Sequence, residues 1–150
     1  MRIIYWFPSI CFVLHTLEEL PGFAGWVSKH FRPYTVEFFA LTHIPLFWLV
    51  LVSSFYAERE KTIWKIIAAA WQVQFGLNAI FHLSTAAIFN EYSPGMFTAG
   101  AINLPVTIFF LYSIIKERYL TSKQVFSAVI IGTTAALLAI GSLFDFNTIN

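Results

Sequence analysis

Five apolar stretches, residues 3–20, 36–57, 63–89, 97–115 and 124–144, take up nearly the whole chain. Each approaches or exceeds the roughly 20 residues a helix needs to cross the hydrocarbon of a bilayer. Between them stand "GWVSKHFRPYT", "AEREKT", "NEYSPG" and "KERYLTSK", clusters of Gly, Pro and charge that punctuate helices. Charged residues make up 11% of the sequence, against about 25% in an ordinary soluble domain. The pattern predicts an all-α integral membrane bundle of five transmembrane helices, a single domain over residues 1–150. No repeat, low-complexity tract or linker interrupts it. A cleaved secretory signal is the competing reading of the first stretch, since Arg2 precedes it and "GFAGW" offers small residues. The His-x-x-Glu-Glu at its end argues against that. One cysteine, Cys11, excludes an intrachain disulfide.

Basic residues predict the orientation. In a five-span arrangement Arg2, Arg59, Lys61, Lys65, Lys116, Arg118 and Lys123 share one side, and only Lys29 and Arg32 take the other. The positive-inside rule then sets the N-terminus in the cytoplasm and the C-terminus outside, with the bacterial cytoplasmic membrane as the expected location. A net charge of +1 gives no sign of nucleic-acid binding; the expected partners are the bilayer and a hydrophobic or lipid-like small molecule.

Alternating spans bring the polar residues to one depth. His15, Glu18 and Glu19 come late in the first span, His43 early in the second, and Asn78 and His82 late in the third. Thr98 and Asn103 begin the fourth, and Asp145 ends the fifth at the interface. Ionisable groups inside a membrane are costly and usually paired and functional. Glu18 and Glu19 lie about 60° and 40° from His15 around a helix, so all three are expected to face one cavity. Imidazole and carboxylate at that spacing suit a transition metal; one glutamate reaching to the interface is the plainer alternative.

Trp71, Gln74, Asn78, His82 and Thr85 form a stripe on the third helix. Gln74 and Thr85 are expected to act as interhelical glue. His82 is placed as a metal ligand, and Asn78 as a residue that orients one. His43 precedes Pro45, which removes a backbone hydrogen bond, and is weighed evenly between packing and catalysis. Glu37 follows Thr35, a natural N-cap, and reads as a favourable charge at a helix start. His30 is expected in solvent or at the headgroups. The segment "GFAGWVSKHF" is expected to lie in the interface, anchored by Trp26 and Phe31, where it could cover the cluster. "YSPGMFT" reads as a tight turn centred on Pro94 and Gly95.

"HTLEE" (15–19), "NAIFH" (78–82) and "YSPGMFTA" (92–99), in that order, resemble the HXXEE-motif family of small multi-pass bacterial membrane proteins. The resemblance spans roughly residues 10–110. It maps family positions onto His15, Glu18, Glu19, Asn78, His82, Pro94, Gly95 and Thr98, and implies a site without implying a reaction.

The function expected from these residues is a metal-dependent membrane enzyme. His15, Glu19 and His82 are the candidate metal ligands, with Glu18 a bridging ligand or general base and His43 a further ligand or acid. Asn78, Thr98 and Asn103 support them. Zinc, with hydrolysis of an ester or amide, is favoured; a di-iron pair that oxidises an apolar substrate is possible. Two other classes compete: a metal-free isomerase or cyclase that uses the glutamates as acid and base beside aromatic rings, and a transporter or metal-binding subunit.

Overall fold

A computed structural model describes residues 2–144, all helices and connecting turns, with no strand among the described residues. A 3-10 turn, Ile3–Trp6, runs into α1 (Phe7–Glu19), whose Pro8 sits in the first turn where no backbone donor is needed. After Pro21 and Gly22 the chain bends by 70° into the short α2 (Phe23–His30). Then come α3 (Val36–Glu58) and α4 (Thr62–Phe89). The next helix is continuous over Met96–Lys116 and is built from one turn, α5 (Met96–Thr98), a π-helical segment at Ala99–Asn103, and α6 (Leu104–Lys116). The last is α7 (Ser122–Gly141).

Four helices are long and apolar enough to span a membrane, and a fifth joins them if the bent α1–α2 pair counts as one span. Local chemistry sets their ends. Thr35 Oγ1 accepts from the Phe38 amide and caps α3, with Glu37 exposed in the first turn. Asn90 takes a left-handed conformation (φ 50°) and stops α4. Thr121 and Gln124 form a reciprocal capping box at the start of α7. Asp145 lies outside the described residues.

α4 is the axis of the bundle. Half of its most apolar stretch is buried within the protein, compared with 22% for α3, 28% for Met96–Lys116 and 17% for α7, so the other three are less enclosed by their neighbours. Small residues let the backbones close in. A Cβ at Gly132 of α7 would lie 2.4 Å from the Ala70 carbonyl oxygen of α4, so nothing larger than glycine fits that crossing. Ionic contacts tie down one end of the bundle: Arg2 meets Glu60 at 3.1 Å, Lys65 bonds the same carboxylate, and the Trp6 indole donates to Glu58 at 2.9 Å.

At the opposite end α2 folds over the helix termini. Trp26 is corrected from interfacial anchor to core residue: it is 7% exposed, packed against Phe31, Phe81 and Phe89. The bend at Pro21 and Gly22 turns α2 inward, which a reading of the segment as a free amphipathic surface helix does not anticipate. His30 is likewise not free in solvent. Its ring stacks on Phe89, and its Nε2 meets Glu91 at 2.5 Å.

Candidate metal centre

The ends of α1, α4 and the α4–α5 turn and the start of α3 meet under α2, and their polar side chains converge there. Glu19, 4% exposed, is the centre. Its Oε1 lies 3.5 Å from Nε2 of His15, one turn earlier on α1, and 3.2 Å from Nε2 of His82 on α4; its Oε2 lies 3.6 Å from Nε2 of His43 on α3. Three imidazoles from three helices thus aim the same ring nitrogen at one carboxylate.

Each imidazole is held through its other nitrogen. His15 Nδ1–H donates to Thr98 Oγ1 at 2.8 Å, and that hydroxyl passes its own hydrogen to the Gly95 carbonyl. His82 Nδ1 pairs with Ser93 Oγ at 3.1 Å. His43 Nδ1–H donates to the Phe39 carbonyl at 2.8 Å while the ring stacks on Phe39. Donation from Nδ1 leaves Nε2 of His15 and His43 as the lone-pair nitrogen, the tautomer that outer hydrogen bonds impose on metal-binding histidines, and the Ser93 hydroxyl can accept from His82 Nδ1 in the same way. His82 Nε2 is buried without any hydrogen-bond partner.

Both spacings from Glu19 fit a metal. Ligand atoms on a tetrahedron with bonds of about 2.1 Å stand roughly 3.4 Å apart, close to the 3.2 and 3.5 Å observed. Ligand atoms of His15, Glu19 and His82 all lie within 4.8 Å of one another. One contact works against occupancy: Asn78 Nδ2 donates to His15 Nε2 at 2.9 Å and covers the lone pair a metal would use.

Glu18 is not in this cluster, which corrects the expectation that both glutamates face one cavity. Its carboxylate points to the start of α5, where Oε1 accepts from the Phe97 amide (2.9 Å) and the Tyr92 hydroxyl (2.7 Å), and Oε2 from the Thr98 amide (2.7 Å). A negative charge suits a helix N-terminus, whose first amides lack partners, and three donors already occupy the carboxylate oxygens that a base would use. Burial, then the neighbouring Glu18 carboxylate, pushes the Tyr92 phenol up to about 12. Asn103 is fully buried, but neither polar atom of its side chain has a partner; its hydrogen bond is made by the carbonyl, which accepts from Thr107. Nothing joins it to the histidines, and the expected supporting role is withdrawn.

Two residues do more in the site than the sequence reading assigns: it gives Ser93 no role there, and Gly95 only that of a turn residue at a family position. Ser93 is fully buried and holds His82. Gly95 has φ +99°, and a Cβ there would lie 2.7 Å from His15 Cε1 and 3.1 Å from both Glu19 Cγ and His82 Cε1. The turn "SPGMFT" is therefore the outer wall of the cluster rather than a mere connection. The signal was available in its polar residues, Ser93 and Thr98, flanking Pro-Gly. Phe23 of α2 packs on the His82 ring at 5.8 Å and covers the cluster from the end of the bundle.

A cavity of about 460 Å³ opens beside the cluster between α1, α3, α4 and α7, with His15, Glu19 and His43 in its wall. Trp71, Gln74 and Asn78 line the same space. Gln74 is thereby corrected from interhelical glue to cavity lining: its amide oxygen has no hydrogen-bond partner. The polar bridge between helices is instead the neighbouring Gln72, fully buried, which donates to Thr107 at 2.9 Å.

The model of a family described as "Protein of unknown function with HXXEE motif" matches residues 6–110, from the first turn before α1 into α6. An uncharacterized Bacillus subtilis protein, YrkK, is 28% identical over 139 residues, which is 87% of this chain and 88% of the relative. No solved structure matches the chain.

Proposed function

The chain belongs to the HXXEE-motif family, and we propose that it is a metal-dependent membrane enzyme whose metal is held by His15, Glu19 and His82. The observation that carries this reading is the aim of three imidazole Nε2 atoms at one buried carboxylate. In an apolar surrounding an unpaired carboxylate is costly, and a cation among these ligands offsets that cost while keeping the imidazoles neutral.

A two-histidine, one-carboxylate set is found in catalytic zinc sites and, with open positions, in non-haem iron sites. The absence of Glu18 from the cluster favours one metal over two, since a di-iron bundle needs carboxylates from several helices. We favour zinc and hydrolysis of an ester or amide in a hydrophobic, lipid-like molecule. A zinc ion supplies a Lewis acid and lowers the pKa of water to about 7. His43 stands across Glu19 with its Nε2 lone pair free and its side chain 21% exposed toward the cavity, so it takes the role of proton acceptor and then donor that Glu18 cannot fill. Apolar neighbours of the cavity, Phe12, Phe75 and Leu138 among them, suit a substrate that partitions into lipid. The proposed setting is the bacterial cytoplasmic membrane, with the N-terminus inside.

A second reading rests on the Asn78 hydrogen bond to His15 Nε2: a metal-free isomerase in which Glu19 and the imidazoles exchange a proton with an isoprenoid-like substrate. Metal analysis of protein purified without chelators separates the two. The metal reading expects about one transition metal per chain, lost in His82→Ala and retained in His43→Ala. It also expects Asn78→Ala to bind metal as well as the parent or more tightly, because the competing donor is gone. Metal-free protein that stays folded and active would establish the second reading instead.

A further inference from the structure

A separate hollow of about 380 Å³ runs along the outside of the bundle between α1 and α3. Its sides are Phe12, Leu17, Ala40, Ile44 and Phe47, and its volume is within the range of small-molecule sites. Leu17 and Ile44 are 62% and 59% exposed, so in a membrane lipid chains surround this face. Phe12, Thr16 and His43 belong to the walls of both this groove and the inner cavity. The His43 ring, bonded to the Phe39 carbonyl and stacked on Phe39, borders both spaces, and its Nε2 faces Glu19.

We propose that the groove holds the single apolar chain of a bilayer-borne ester or amide, which enters sideways between α1 and α3 and brings its polar end past His43 to Glu19. This rests on the metal-enzyme reading for what happens at the polar end, and on the groove alone for what binds along it. Shared walls distinguish this groove from other lipid-facing surface: a chain lying in it ends against His43, whose Nε2 is 3.6 Å from the buried Glu19 carboxylate. The groove has no polar pairing to offer a peptide, whose backbone would go unsatisfied in lipid, and a two-chained lipid would leave its second chain outside a single furrow.

The test uses the full chain in phosphatidylcholine vesicles with a long-chain fatty ester that carries a photoactivatable diazirine on its chain, the labelled residues being mapped by mass spectrometry. Labelling is expected to concentrate on the groove faces of α1 and α3 and to be displaced by excess unlabelled ester. Ile130 and Leu137, exposed on α7 and lining neither hollow, should be labelled weakly and without displacement. Ala40→Trp and, independently, Leu17→Trp fill the groove away from the cluster and should lower its labelling roughly tenfold with bound metal unchanged. Even labelling of every lipid-facing helix, or groove labelling that neither substitution lowers in protein that still folds, would overturn the proposal. Saturable groove labelling in protein that holds no metal would leave the groove assignment standing and remove the metal reading beneath it.

Discussion

Glu18 and Glu19 adjoin in the chain and part in space, because consecutive helical positions diverge by about 100°. Glu19 turns to the histidines, and Glu18 crosses to the N-terminus of α5. Their substitutions should therefore separate. Glu19→Gln is expected to abolish metal binding. Glu18→Gln keeps the metal and lowers stability by about 1–2 kcal/mol, the worth of a charged helix cap, read as a fall in unfolding temperature in detergent. Equal metal loss in both would return Glu18 to the site. Gly95→Ala has two faults at once: a side chain at φ +99° costs about 1–2 kcal/mol, and the new methyl strikes His15. It should weaken metal binding without removing any ligand. His15, Glu19, Asn78, His82 and Thr98 were legible in the sequence because an ionisable or amide group inside an apolar run demands a partner. The contact of Ser93 and Gly95 with the cluster was not, although Gly95 stands out as a turn and family position, since a serine and a glycine in a turn carry no such demand until the turn is seen packed on the imidazoles.

At the scale of elements, the bend after α1 decides whether the site is open or covered. α2 is held down by its aromatic face and by a polar latch at its end, where Lys29 and His30 both bind Glu91 beyond the end of α4. The Lys29 ammonium, then the His30 imidazole, hold the Glu91 carboxyl below its ordinary value of 4.5. A depressed carboxylate pKa stabilises the fold fully above that ordinary value, and the contribution is lost as pH falls through the lower folded one. Hydrogen exchange of residues 23–30, corrected for its intrinsic pH dependence, should thus accelerate below about pH 4.5. Glu91→Gln should show the faster exchange already at neutral pH, with bound metal unaffected. An α2 equally protected in the variant would mean that the aromatic contacts alone keep it closed. The long helices were legible because an apolar run of spanning length has few alternatives in lipid. The inward turn of α2 was not: "GFAGWVSKHF" has the same amphipathic pattern whether its apolar face meets lipid or Phe39 and Phe89.

Across the molecule, the buried and ion-paired ionisable groups of the described residues gather in two sets at opposite ends of an apolar bundle. One set, Arg2, Glu58, Glu60 and Lys65, is made of ion pairs and an indole hydrogen bond near the chain ends of helices. The other is the histidine cluster under α2. The contacts agree with the depth argument from alternating spans, in which α1 and α4 finish where α3 and α5 begin. Which end faces the cytoplasm is a separate matter, decided by charge during insertion rather than by packing. Seven of the nine basic residues, counted along the sequence, belong with the ion-paired end, so that end should be cytoplasmic and the cluster should lie in the outer half of the membrane. Reporter fusions in the 57–65 loop and after Asn150 check this. The loop fusion should report a cytoplasmic position and the C-terminal fusion an external one, because α4, Met96–Lys116 and α7 make three crossings between them. A third fusion, at the N-terminus, reads α1 itself: an external N-terminus with the loop still cytoplasmic would mean that α1 enters and returns on one side. The groove between α1 and α3 would then open near the headgroups instead of among the lipid chains.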